Sequence, residues 1–271
     1  MNPTSEIATL TRIAASAGTL ATTWFNQVRQ DVVETRQKKP GEYVSDADEA
    51  VETHIRDQIA DAYGPQSIVG EELGGQANSD YWSVDPIDGT SNFLRGSPLW
   101  GISIARIIDH TPVLGAIALP ALGYLVAATA GNGLIVNGKL EQRPHASTNL
   151  IVAVGENPYW DAAEIGALER LLRSAGYGVA SYRCASVSLA FTAIGIIDGY
   201  IEHQTNEWDI AAGTLLCREA GLLATATTAM ATSDGPNRSI LAGGPQLADT
   251  VESQRTGPTG SGSDPGDNRW S

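Results

Sequence analysis

Asp85-Pro86-Ile87-Asp88-Gly89-Thr90 sets two carboxylates three residues apart, astride a Pro-Ile step, with a Gly-Thr pair directly after. The preceding Tyr81-Trp82-Ser83-Val84 reads as a short buried strand, and Gly89 onward reads as a turn opening a helix. Two acids at a strand's end can hold divalent cations, and the N–H groups exposed at the next helix start can hold a phosphate. A metal site beside a phosphate site points to metal-assisted phosphoryl transfer.

Upstream, apolar residues at Ile7, Leu10, Ile13, Ala17, Leu20, Trp24 and Val28 predict an amphipathic helix over 5–29. A second helix is predicted from Asp46 to Tyr63, stopped by Gly64-Pro65, and a short strand from Ser67 to Gly70. Downstream, apolar runs between Trp100 and Val136 predict an antiparallel meander, with a hairpin at Asn137-Gly138. The chain after 149 is expected to give a strand at 151–154, helices at 161–174 and 186–196, a strand at 200–202 and a helix at 207–219. The composition change at Arg143-Pro144-His145 suggests a division into an N-terminal α+β half (1–145) and a C-terminal α/β half (146–253). Residues 254–271, poor in aliphatics and rich in Gly, Ser, Pro and Asp, are expected to be a disordered tail.

Composition narrows the function. A net charge of −14 argues against a general nucleic-acid binder, because a polyanion is repelled. No apolar run approaches the ~20 residues that span a bilayer, so no membrane association is expected. No signal peptide is evident at the N-terminus. Two cysteines make no disulfide framework, so the expected compartment is the cytoplasm. The four histidines share no ligand spacing, which speaks against zinc. Hard oxygen donors without Cys or His favour Mg²⁺. There is no Gly-x-x-x-x-Gly-Lys-Ser/Thr loop for a nucleoside triphosphate.

Three further acidic segments accompany the first. Gly70-Glu71-Glu72 follows a strand, Asp48 and Glu52 lie one helical turn apart, and Asp209 stands beside Trp208 at a helix start. Each has a plain reading when taken alone. Asp85 and Asp88 suit turns and caps, Glu71-Glu72 suits a solvated surface, Asp48 and Glu52 suit an exposed helix face, and Asp209 suits a helix dipole.

Together, Val44-Ser45-Asp46-Ala47-Asp48-x-x-x-Glu52, Gly70-Glu71-Glu72, Asp85 to Phe93, Trp208-Asp209-Ile210-Ala211-Ala212-Gly213 and Glu219-Ala220-Gly221 resemble, in order and spacing, the inositol monophosphatase family. The resemblance implies a mixed α/β chain folded as a layered αβαβα sandwich of the inositol monophosphatase/fructose-bisphosphatase type, often dimeric. It implies a Mg²⁺-dependent, lithium-sensitive phosphomonoesterase that uses no covalent intermediate. Carried over by position, Glu71, Asp85 and the Ile87 carbonyl would hold one metal. Asp85, Asp88 and Asp209 would hold a second, and a third would sit near Glu71. The Gly89 and Thr90 N–H groups would bind phosphate, and the Thr90 hydroxyl paired with Asp48 would orient the attacking water, with Glu71 also catalytic.

The same resemblance puts the substrate wall at Glu202, Arg183 and the helix start Ala185-Ser186-Val187, where members usually show Gly-Ser/Thr-Ala. Inositol monophosphate is the first expected substrate, through ring hydroxyls donating to Glu202. Histidinol phosphate is the alternative, suggested by Phe93 to Gly101 and by an amino group at Glu202. Fructose 1,6-bisphosphate would need a second phosphate subsite, from Arg183 or Arg95, and a nucleotide 3′-phosphate a base-stacking and basic cluster, of which the sequence shows no clear sign. A non-catalytic binding relative is a further alternative, at odds with the full set of acids.

Overall fold

The structure, a computed structural model, describes residues 3–28, 35–39, 42–144, 148–228 and 238–253. His145, the expected boundary beside it and the expected tail at 254–271 lie outside the described residues.

The chain opens with α1 (Pro3–Val28), a hairpin of β1 (Thr35–Lys39) and β2 (Glu42–Ser45), and α2 (Asp46–Tyr63). Then come β3 (Ile68–Gly70), β4 (Asp80–Asp88), α3 (Thr90–Leu94), β5 (Gly101–Ile108), β6 (Thr111–Leu119), β7 (Tyr124–Thr129), β8 (Leu134–Val136) and β9 (Lys139–Glu141). These β3–β9 strands form one seven-stranded sheet in sequence order, antiparallel except for β3 beside β4. The expected meander is its body. At the β8–β9 turn, Asn137 and Gly138 both take positive φ (48° and 79°), the geometry that a two-residue hairpin of this kind demands.

The second half comprises β10 (Ile151–Val154), α4 (Ala162–Ser174), β11 (Gly178–Ala180), α5 (Ala185–Ile194), β12 (Gly199–Thr205), α6 (Glu207–Glu219), β13 (Leu223–Thr228), β14 (Arg238–Gly243) and α7 (Pro245–Ser253). Its sheet has the order β11-β10-β12-β14-β13, parallel around β10 and antiparallel around β14. Sequence patterning gave no warning of β1–β2, β11, β13, β14 or α7. These are short, or polar along much of their length, and carry little periodicity.

The layers run α1/α2, seven-stranded sheet, α5/α6, five-stranded sheet, α4/α7. This is the expected αβαβα sandwich. Alternation along β4 shows how it is built. Trp82 and Val84 point into the α1/α2 core, with Leu10, Ile13, Ile55 and Ile59, while Tyr81 points into the α5/α6 core, with Leu189, Leu215 and Ile240. Each large side chain so buried contributes roughly 1.5–3 kcal/mol. The α5/α6 layer has an apolar surface on both sides, because it is covered by sheet on both.

Candidate metal centre and active site

The described strand continues past Val84, through the proline, to Asp88. Asp85 pairs with Ser103 and Asp88 with Gly101, so Pro86 and Ile87 together face one residue of β5. This is a β-bulge, and it suits a proline that has no N–H to give the ladder. It also decides the chemistry. Residues three apart on a regular strand face opposite sides, whereas the extra residue brings Asp85 and Asp88 to the same cavity while Ile87 turns its side chain into the α1/α2 core. The Ile87 N–H donates to Asp85 Oδ1 at 3.1 Å, fixing the bulge.

The cavity, of about 950 Å³, lies between the two sheets and is lined by Glu71, Asp85, Asp88, Gly89, Thr90 and Asp209, among others. One carboxylate oxygen from each of Glu71, Asp85 and Asp209 falls within 4.8 Å of the others. Asp209 is oriented by its own helix start, accepting from the Asn206 N–H at 2.9 Å and the Thr205 hydroxyl at 2.8 Å. Asp88 accepts from the Ser186 N–H at the start of α5.

Glu71 is placed by a residue that sequence reasoning left on an exposed face. Glu52 is fully buried, and its carboxylate accepts the Glu72 N–H at 2.8 Å and the Arg56 Nε–H at 2.8 Å. Gly70 leaves it the space, since a Cβ there would lie 2.0 Å from Glu52 Oε1. Asp48, for which the resemblance implied a pairing with Thr90, is buried and lies 3.4 Å from the Thr90 hydroxyl; that hydroxyl also lies 3.0 Å from the Ile87 carbonyl. Both burials have one cause. The polar face of α2 at its first two turns abuts the end of β4 and the β3 loop rather than solvent.

Gly89, the residue before α3, has φ 83°, and a Cβ there would come within 3.0 Å of both the Cys184 Cβ and the Leu99 carbonyl. Only glycine satisfies both constraints. Asn92 ties this turn to the opposite wall, donating to the Leu99 and Tyr182 carbonyls, each at 2.8 Å.

The wall is assembled from scattered segments. Glu202 on β12 is buried, receiving the Tyr200 hydroxyl and the Asn157 amide (3.1 Å). Asn157, which sequence reasoning missed, also holds the N–H groups of Tyr159 and Trp160 at 3.0 Å; an Asn-Pro ahead of a helix was the available signal. Gln204, with φ 55° at a bulge of β12, lines the cavity too.

The helix start read as Ala185-Ser186-Val187 shifts in register. The left-handed residue is Arg183 (φ 52°), the N-cap is Cys184, and α5 begins at Ala185. A left-handed slot followed by an N-cap is where Gly and Ser/Thr fit physically. Arg183-Cys184-Ala185 therefore occupies the Gly-Ser/Thr-Ala position. Arg183, Cys184, Ala185 and Ser188 line the cavity, while Val187 lies in the core and Ser186 stands behind Asp88. Arg183 reaches Glu156 on the far lip at 3.7 Å.

The electrostatics state what the floor lacks. Burial, and then the charges of Glu71, Asp88 and Asp209, push the Asp85 carboxyl well above the usual carboxylate range. Burial and Asp209 push Asp88 up to about 6. Asp209 is raised by burial and drawn back by its hydrogen bonds. Burial raises Glu202 to about 7 against its two hydrogen bonds. Among the described residues, Arg183 is the sole Arg or Lys lining the cavity. A floor of acids with no basic neighbour is neutralised by protons or by cations, and an all-oxygen donor set fits Mg²⁺.

The family profile of the inositol monophosphatase family matches residues 3–256. The fructose-1,6-bisphosphatase/inositol-1-monophosphatase of Aquifex aeolicus is 32% identical, over 73% of this chain and 76% of its own. The Nus factor SuhB of Haemophilus influenzae is 33% identical, over 82% of this chain and 84% of its own. The solved structure of the extragenic suppressor protein suhB from Bartonella henselae superimposes with a TM-score of 0.78 at 27% identity, covering 93% of this chain and 99% of that one. The chain belongs to the inositol monophosphatase family.

Proposed function

We propose that the protein is a Mg²⁺-dependent phosphomonoesterase acting on a small polyol monophosphate, inositol monophosphate first among them. The observation that carries this is the Glu71–Asp85–Asp209 cluster, with its carboxylate oxygens within 4.8 Å, on a cavity floor it shares with the Gly89–Thr90 turn. Glu71, Asp85, Asp88, Asp209 and the Ile87 carbonyl would hold two to three Mg²⁺ ions. Bound there, Mg²⁺ would screen the phosphate dianion and stabilise charge on the leaving oxygen.

The protein's own groups do the rest. N–H groups of a first helical turn have no carbonyl of their own helix to meet, so those of Gly89 and Thr90 are available to phosphate oxygens. Thr90 Oγ, whose one proton faces the Ile87 carbonyl at 3.0 Å and Asp48 at 3.4 Å, keeps its lone pairs for a hydrogen bond from the attacking water, which it thereby orients. No side chain needs to be phosphorylated.

Substrate choice falls to the wall. Seven acids (Glu71, Asp85, Asp88, Glu156, Asp161, Glu202, Asp209) line the cavity, and Arg183 is already paired with Glu156. That balance favours one phosphate over two, and so disfavours fructose 1,6-bisphosphate and nucleotide bisphosphates. Glu202 suits a hydroxyl donor; an amino group there is the second reading and corresponds to histidinol phosphate. The Nus factor name of one relative raises a non-catalytic binding role for this chain as well, against which stands the complete acidic floor. Lithium inhibition and a homodimer follow from the same family reading.

Phosphate release with Mg²⁺ from inositol 1-phosphate, histidinol phosphate, fructose 1,6-bisphosphate and adenosine 3′,5′-bisphosphate tests the proposal. The expected result is strong preference for inositol 1-phosphate, lost on chelation and reduced by lithium. Absence of release from all four would sink the enzymatic reading.

A further inference from the structure

Asp85 and Asp209 belong to different layers, β4 and α6, so the distance between them depends on how the first turn of α6 is held against the sheet. Two contacts hold the first turn of α6 against the sheet. Ser103, the cross-strand partner of Asp85, donates its hydroxyl to the Trp208 carbonyl at 2.9 Å. Tyr81, four residues before Asp85 on the same face of β4, donates its hydroxyl to Glu207, the first residue of α6. The other Glu207 carboxylate oxygen receives the Arg238 guanidinium from β14. Glu207 thus ties one sheet to the other through the helix start that carries Asp209, two residues on. Burial and the adjoining Glu207 push the Tyr81 hydroxyl far above its usual range, so it stays a donor.

We propose that Glu207, clamped between Tyr81 and Arg238, is a positioning residue that holds Asp209 at chelating distance from Asp85 before the cation binds. The clamp touches neither substrate nor phosphate, and its effect is on cation affinity. The inference rests on the reading of the acidic floor as a Mg²⁺ site.

Calorimetric titration of the metal-free full chain with Mg²⁺ tests it, on the parent, Tyr81→Phe, Glu207→Ala and the double variant. Partners that orient metal ligands typically change affinity by about 10- to 100-fold, and each single variant is expected to lose at least the lower figure. The double variant is expected to bind no more weakly than Glu207→Ala, because Tyr81 acts through Glu207. Phosphate release at saturating Mg²⁺ should return to within about twofold of the parent, a pattern that general loosening of the fold does not give. Folded variants with parental Mg²⁺ affinity, even with a lowered Tm, would overturn the positioning role alone. A parent that binds no Mg²⁺ would overturn both this role and the reading beneath it. Should Glu207→Ala fail to fold, Tyr81→Phe, which removes one hydroxyl, decides the matter by the same criteria.

Discussion

On the cavity floor, Asp85, Asp88, Gly89 and Thr90 come from six consecutive residues, joined by Glu71 after β3 and Asp209 on α6, whereas the wall takes Asn157, Arg183, Cys184, Tyr200 and Glu202 from three segments with no such continuous stretch. The floor is a bulged strand running straight into a tight glycine turn, braced by the buried carboxylates of Asp48 and Glu52. The wall is held by side-chain hydrogen bonds between segments, Asn157 to Glu202 and Asn92 to the Tyr182 carbonyl. A floor built around one continuous stretch fixes most of the reaction chemistry with few degrees of freedom. A dispersed wall can change one residue at a time, and so alter substrate choice without disturbing the metal ligands.

The sharpest way to break this division is Asp85→Asn. Removing a cluster ligand should cost more than the ~100-fold typical of a supporting residue, in both Mg²⁺ affinity and phosphate release. Because Asp85 repels its neighbours in the metal-free protein, the variant should melt no lower than the parent without Mg²⁺. A variant that turns over normally would show that the floor is not the reaction centre.

Glu202→Gln addresses the wall. Loss of a hydrogen bond to a charged acceptor should lower kcat/KM for the preferred substrate by about 10- to 100-fold while Mg²⁺ affinity holds. An equal loss on every substrate, together with weakened Mg²⁺ binding, would place Glu202 with the floor.

Solution pH separates the regions a third way. Asp88 and Glu202, raised from 3.8 and 4.5 to about 6 and about 7, keep protons in the metal-free folded chain after the unfolded chain has lost them. The folded state then binds more protons than the unfolded, so stability falls as pH rises through this window. The metal-free Tm should be lower at pH 8 than at pH 5, and Mg²⁺ should restore most at pH 8. A metal-free Tm that climbs with pH would contradict the repulsive floor.

The smallest effect is expected for Arg183→Gly. Glycine relieves the left-handed φ of 52°, while the exposed pair with Glu156 is worth little. The net gain in stability should be no more than about 1 kcal/mol, with KM rising several-fold and Mg²⁺ affinity unchanged. A large fall in Tm would instead make Arg183 a structural residue.

The same contrast governs what the sequence alone reveals. The floor was legible because its ligands sit in short acidic segments whose order and spacing survive without the fold. The spacing of Asp85 and Asp88 was visible, but the bulge that turns them to one side depends on pairing with Ser103 and Gly101. Helices α2 and α6 were legible to the residue from periodicity and stop signals. Neither the burial of Glu52 nor that of Asp48 follows from the residues alone, because burial of an acid is decided by what packs over it, here the Glu72 N–H and the Thr90 hydroxyl; only the family resemblance paired Asp48 with Thr90. The helix start was set one residue late, and the Gly-Ser/Thr-Ala segment two, because a left-handed arginine and a cysteine cap leave no compositional trace. Strands β13 and β14 draw their stability from pairing, β13 with β14 and β14 also with β12, a non-local fact.

The most direct test of the central claim is anomalous diffraction from a crystal soaked in Mn²⁺, which accepts the same oxygen ligands as Mg²⁺. The account predicts an anomalous peak about 2.1 Å from carboxylate oxygens of Glu71 and Asp85, with a second peak between Asp85, Asp88 and Asp209. Mn²⁺ bound elsewhere, with no peak among these four acids, would contradict it.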